Sequence, residues 1–154
     1  RAYMDTHEGR IPIQDGIDVM TVGGVTFKRY LEIAKILNKE TAVVTDNDGN
    51  IKAITDKYKE YEGIPFIHIC FDKVVDTGNL KLSDKNFNYN TLEPKILKEN
   101  GREVLNNIFG TDYNTDEEMH KYMHAHKTDC AIAIFESATK IKYPEYIMRA
   151  LKNE

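Results

Sequence analysis

Three short apolar runs, at residues 17–22, 41–45 and 65–71, alternate with two stretches of helical spacing, and that order limits the fold more than any other feature of the chain. Gly16-Ile17-Asp18-Val19-Met20-Thr21-Val22 alternates apolar and polar positions and stops at Gly23-Gly24, the pattern of a strand ending in a glycine turn. Phe27, Tyr30, Leu31, Ala34 and Leu37 follow at intervals of three and four, the core stripe of an amphipathic helix. Residues 41–45 are rich in β-branched side chains and end at Asp46-Asn47-Asp48-Gly49, a chain breaker. Residues 51–61 read as a charged surface helix, and 65–71 as a third strand. Strand, helix, strand, helix, strand predicts a parallel sheet with covering helices.

The pattern changes after residue 73. Residues 74–90 are polar, with Asn86, Asn88 and Asn90 close together, and read as a loop holding a short edge strand. Helical spacing then governs residues 96–109, 116–126, 128–136 and 144–151. Pro144 suits a helix start, and Thr115 with Glu118 has the spacing of a capping box. No repeat or low-complexity linker interrupts the chain. The expectation is one α/β domain over residues 1–154, with a sheet portion at 1–90 and a helical portion at 91–154.

Composition narrows the function classes. The chain has 154 residues and a formal charge of −4, with 41% hydrophobic and 30% charged residues, enough apolar material for a core. No apolar run reaches the roughly 18 residues a membrane helix needs, and no signal peptide opens the chain. Cys70 and Cys130 both lie in apolar stretches, which points to core packing in a reducing cytoplasm rather than to a disulfide framework. The acidic balance excludes a protein that holds nucleic acid by a large basic surface alone. The chain opens at Arg1 without a Met, and Arg1-Ala2-Tyr3-Met4 already reads as helix, so a piece of a longer polypeptide is expected.

Asp46 and Asp48 stand at i and i+2 just past a strand, where open α/β proteins place their ligands. Two carboxylates that close repel, and a cation, a shared proton or full solvation relieves them. A hard ion such as Mg²⁺ suits them and also recruits phosphate oxygens, so an acidic site can still meet a polyanion. The alternative is a solvated turn, which Asn, Asp and Gly favour anyway. An EF-hand is excluded, because it needs Gly and Glu where counting from Asp46 gives Ile51 and Lys57. Glu93 at a helix start also suits the helix dipole, and Lys127 also suits a solvated surface.

Together, Val44-Thr45-Asp46-Asn47-Asp48-Gly49, Asn88-Tyr89-Asn90-Thr91-Leu92-Glu93-Pro94, Tyr122-Met123 with His126-Lys127-Thr128-Asp129 and Ala131, and Pro144-Glu145-Tyr146-Ile147 occur in this order. The set resembles the TOPRIM nuclease domain of the OLD (overcoming lysogenization defect) family of ATP-dependent endonucleases, which includes the nuclease subunit of the Gabija anti-phage system. The resemblance covers about residues 16–150. It implies a Rossmann-like TOPRIM sheet with flanking helices, lacking its first strand, and a helical C-terminal third. It also implies a DNA endonuclease or nickase using Mg²⁺, or Mn²⁺ or Ca²⁺ in its place. Asp46 and Asp48 would be metal ligands, Glu93 would complete a second metal position with Thr91 beside it, and Lys127 would neutralise charge on the phosphate or leaving oxygen. The implied partners are DNA and an N-terminal ABC-type ATPase domain of the same protein, through which alone ATP enters; a homo-oligomer is compatible.

One position departs from the pattern. TOPRIM domains carry an essential glutamate in a Glu-Gly turn after their first strand, and Glu8-Gly9 looks like it. Only residues 9–16, including Pro12, separate Glu8 from Ile17, too few for a crossover of at least about 10–12 residues with its own helix. Residues 1–7 fit better as the tail of that crossover helix, with the first strand and its glutamate upstream. A piece of this extent is then expected to cut DNA weakly or not at all. Two rival readings are a haloacid-dehalogenase-type phosphatase with Asp46 as nucleophile, and a non-catalytic TOPRIM docking module. A dehalogenase-type motif sits on the first strand, whereas a strand and helix precede Asp46 here. His120 and His124 share a helical face at a spacing zinc sites use, yet no His-Glu-x-x-His motif or Cys pair accompanies them; a phosphate-facing or exposed histidine face is preferred. Replacing His120 by Ala is expected to matter little to cleavage. Gly23-Gly24 without a Walker lysine is read as a turn. Lys28, Arg29, Lys35 and Lys39, offset by Glu32 and Glu40, read as a solvated helix face.

Overall fold

The computed structural model, which describes residues 1–23 and 27–152, opens with α1 (Ala2–Thr6) and a 3₁₀ turn at Pro12–Asp15. After α2 (Phe27–Leu37), the β-branched run forms β1 (Thr41–Val44). α3 (Ile51–Tyr58) and a second 3₁₀ turn lead to β2 (Ile67–Cys70). β1 and β2 pair in parallel, in the register Thr41↔Ile67 through Val44↔Cys70. These elements belong to one of two compact units, made of Ala2–Thr45, Lys52–Phe71 and the chain from Glu145 on. Its core gathers Phe27, Leu31, Ile54, Tyr58, Tyr61 and Ile67, with Val43 and Ile69 packed against it. Each such side chain contributes about 1.5–3 kcal/mol when fully buried. α8 (Glu145–Ala150) packs on both strands, and Arg149 donates to the Phe71 carbonyl at 2.6 Å.

The second unit is made of Asp46–Ile51 and Asp72–Pro144, with Arg1. It holds a small antiparallel hairpin, β3 (Lys81–Leu82) with β4 (Lys85–Asn86), the edge strand expected in the polar stretch. Four helices follow: α4 (Leu92–Asn100), α5 (Arg102–Phe109), α6 (Asp116–Ala125) and α7 (Lys127–Glu136). Ile96, Leu97, Leu105, Met119, Met123 and Cys130 form its core. Thr115 caps α6 as its spacing predicts: its hydroxyl accepts from Glu118 N–H, and the Glu118 carboxylate accepts from Thr115 N–H at 3.0 Å. Cys70 and Cys130 are both buried thiols. Burial pushes both thiols up, Cys130 to about 11, so they serve as packing groups rather than nucleophiles. Among the described residues no helix is long and apolar enough to cross a membrane.

Several expectations need correction. Residues 17–22 form no strand; Val19 is 78% and Met20 57% exposed, and of this run Val22 packs on the core. Alternation supplies a sheet face but no hydrogen bonds, and among the described residues β1 pairs with β2 alone, so nothing there converts the pattern into a ladder. Of the Gly23-Gly24 turn, Gly24 lies outside the described residues. In α2 the buried face is Phe27, Leu31 and Ala34, whereas Tyr30 and Leu37 are exposed, Leu37 at 68%. At about 100° per residue those two sit some 65–90° off the centre of the face. Residues 51–61 are not a purely surface helix, since Ile54, Tyr58 and Tyr61 are core. The single helix expected over 96–109 is two, divided at Gly101 (φ 77, ψ 155), a conformation open to glycine and hardly to any other residue.

Candidate functional site

Every residue proposed from the sequence for metal or phosphate chemistry falls in the unit of Asp46–Ile51 and Asp72–Pro144. Two residues past β1 the chain turns sharply. Asn50 N–H donates to the Asn47 carbonyl at 2.7 Å, with Asp48 (φ 48) and Gly49 (φ 74) both left-handed. That is a type I′ turn, for which Asp-Gly is a favoured central pair. Asp and Gly tolerate the left-handed region where β-branched residues do not, so the sequence itself dictates this geometry. Asn47 is buried and spends its whole side chain on the backbone. Its Oδ1 accepts from Gly49 N–H at 2.9 Å, and its Nδ2 donates to the carbonyls of Asp72 (2.9 Å) and Val74 (3.0 Å). Asp46 is half-buried and Asp48 exposed on either side of it.

The second cluster lies at the N-terminus of α4. Thr91 is its N-cap residue and Glu93 stands in its first turn. Lys127, the first residue of α7, reaches Glu93 Oε1 at 2.8 Å; the Glu93 side chain is mostly buried and that of Lys127 half-exposed. Two residues that neither composition nor helical spacing relates are thus in contact. Asn90 links the two clusters. A Cβ built on Gly49 would stand 3.6 Å from Asn90 Nδ2. The Asn90 side chain brackets the Asp76 backbone, accepting from its N–H at 2.8 Å and donating to its carbonyl at 2.9 Å. Buried Lys95 pairs with Asp72, and Lys98 with Asp76. The Lys98 ammonium holds the Asp76 carboxyl below the usual carboxylate range, aided by Gly78 N–H.

Sequence reasoning missed Asn47, Asn90, Asp72 and Lys95. Asn47 carried a usable signal, since Asn bonding the backbone two residues on is its ordinary turn habit. Nothing in the sequence marks Lys95 as buried.

His120 corrects the expectation of an exposed or phosphate-facing histidine. It is 1% exposed, stacked edge-on against Phe87 at 5.3 Å between ring centroids, and its Nδ1 is buried with no hydrogen-bond partner. Burial lowers its pKa, followed by the charges of His124 and Lys127, with Glu93 pulling the other way. His124 is exposed, and the two rings lie 6.2 Å apart between centroids.

Among the described residues, no three His, Cys, Asp or Glu side chains gather as a ready-made metal cage. Asp46, Asp48 and Glu93 are accordingly not a closed trio; Glu93 is occupied by Lys127. The donor chemistry still suits a hard divalent cation. Mg²⁺ keeps several waters and binds through one or two carboxylates together with substrate phosphates, not through an all-protein cage.

A parallel strand pair with helices, an acidic turn directly after β1 and a helical C-terminal part are consistent with a TOPRIM-like α/β domain. Residues 1–48, ending on the second aspartate, match the family described as Overcoming lysogenization defect protein-like, TOPRIM domain. Over residues 1–48 the chain is similar to the TOPRIM domain of the OLD family. No solved structure matches it. TOPRIM domains generally bind divalent ions, commonly Mg²⁺, and similarity to the OLD-like kind suggests metal-dependent, nuclease-type chemistry.

Proposed function

We propose that residues 1–154 form one TOPRIM domain serving as the DNA endonuclease or nickase part of an OLD-like ATP-dependent endonuclease. It would act in the cytoplasm in defence against phage or other foreign DNA. Its partners are DNA, an ABC-type ATPase domain of the same protein, through which ATP acts, and a second copy in a homo-oligomer. The observation that carries this reading is the Lys127–Glu93 contact, in the same compact unit as the Asp46–Asp48 turn.

Asp46 and Asp48 would hold Mg²⁺, or Mn²⁺ or Ca²⁺ in its place, and Glu93, with Thr91 beside it, would complete a second metal position. When bound, the cation supplies Lewis-acid polarisation of the phosphate and a more acidic water. Lys127, a compact point charge on a flexible stem, faces charge that builds on the phosphate or leaving oxygen. Its present partner, Glu93, keeps that ammonium at the site. The half-exposed pair itself contributes at most about 1 kcal/mol to folding.

The test is Mg²⁺-dependent nicking of supercoiled plasmid by the full-length protein, with the segment upstream of Arg1 restored. Asp46→Ala, Asp48→Ala, Glu93→Ala and Lys127→Ala are each expected to cut the rate by about a hundredfold or more, the upper range for losses at groups merely supporting a metal site. Melting temperatures should move little. Full activity in Asp46→Ala or Asp48→Ala defeats the metal assignment, and no metal-dependent cleavage by the full-length parent favours a docking module.

A further inference from the structure

The acidic turn and the start of α4 are far apart along the chain, and one short loop, residues 72–78, joins them. From one side the loop receives Asn47, whose amide donates to the carbonyls of Asp72 and Val74. From the other it receives three side chains of the Asn90–Lys98 stretch: Asn90 on the Asp76 backbone, Lys95 on the Asp72 carboxylate and Lys98 on the Asp76 carboxylate. Asn47 and Asn90 are buried, and Lys95 is 7% exposed. A buried ammonium is costly unless paired, and a buried amide is costly unless its donors are used. The network therefore resists being opened one bond at a time.

We propose that Asn47, Asp72 and Lys95 are positioning residues: a buried latch that fixes the Asp46–Asp48 turn relative to the α4 segment carrying Glu93, and so sets the affinity of the site for its cation. The inference rests on the metal reading given under the proposed function and assigns these residues no contact with cation or DNA. Asn47 is the keystone. Its Oδ1 holds Gly49 N–H and hence the left-handed pair that orients the carboxylates on either side; its Nδ2 ties the same turn to the loop. Lys95 acts at one remove, by fixing the carboxylate of the residue whose carbonyl Asn47 grips. Groups that orient metal ligands through hydrogen bonds typically affect metal affinity 10–100-fold when removed.

The test is Mn²⁺ binding to the 154-residue chain by titration calorimetry, without DNA. Asn47→Leu, which keeps the volume and removes every hydrogen bond, is expected to weaken Mn²⁺ binding about tenfold or more. Asn47→Ser retains an oxygen for Gly49 N–H and should lose less, and Lys95→Met should weaken binding while Lys95→Arg does not. A graded loss of this kind is not what a merely structural defect gives. Parental affinity in Asn47→Leu, with binding abolished in Asp46→Ala, overturns the latch and leaves the metal reading standing. Parental affinity in Asp46→Ala overturns the metal reading itself. Should Asn47→Leu fail to fold, hydrogen exchange of the parent decides: the latch requires the Gly49 amide to exchange at least about tenfold below its intrinsic rate, and unprotected exchange overturns it.

Discussion

His120 illustrates how a single buried atom sets a pH dependence. Its imidazole is enclosed in α6 against Phe87, with Nδ1 unpartnered. Desolvation lowers its pKa below the ordinary 6.5, and the nearby charges of His124 and Lys127 act the same way. The unfolded chain therefore takes up a proton at a higher pH than the folded one. The stability at stake is fully present above about pH 6.5 and is lost as pH falls towards the depressed folded value. His120→Leu removes the titration and the orphaned nitrogen together. The expected result is a smaller loss of urea midpoint between pH 7.5 and 5.5 than the parent shows, and equal losses would refute it. The burial also revises what His120→Ala does: a large-to-small change at a closed site costs about 2–5 kcal/mol of stability, whatever its effect on cleavage.

At the level of elements, the local signals that were legible are those a few neighbouring residues decide. The Thr115/Glu118 cap, the Asp-Asn-Asp-Gly turn and the β-branched run at β1 each need nothing from the rest of the chain, and each forms as its residues dictate. Residues 17–22 have equally clear alternation and form no strand, because a ladder requires a partner that periodicity does not provide. Glu93 and Lys127 were singled out by the ordered set of motifs and not by either residue's surroundings, and their contact is a finding of the structure. Lys95, buried in its network, left no trace in the pattern. Gly101 lay unnoticed within a helical stripe, although a glycine there is a recognised stop signal. It ends α4 and starts α5 at φ 77, ψ 155, and a Cβ at that position would meet nothing within 4 Å. The cost of Gly101→Ala is thus purely conformational, about 1–3 kcal/mol. Denaturant melts should show a lower midpoint with an unchanged slope; a neutral or stabilising outcome would mean that α4 and α5 can join into one helix.

Across the whole molecule, the chain divides its labour between two cores that share no residue: Phe27, Leu31, Ile54, Tyr58, Tyr61 and Ile67 in one unit, and Ile96, Leu97, Leu105, Met119, Met123 and Cys130 in the other. The short segment Asp46–Ile51 belongs with the second, although the residues before and after it belong with the first. Asp46, Asp48, Thr91, Glu93 and Lys127 consequently all report on one unit. A ligand that binds only the folded form of that unit stabilises it by mass action, about 2.7 kcal/mol at a hundred times the dissociation constant. Saturating Mg²⁺ should therefore slow amide exchange at Leu97, Leu105 and Met123 by up to about a hundredfold, and at Leu31 and Ile67 by less. Equal slowing in both sets would show that the units open in one step. Slowing confined to Leu31 and Ile67 would put the cation in the strand unit, and the acidic turn would then be only a turn.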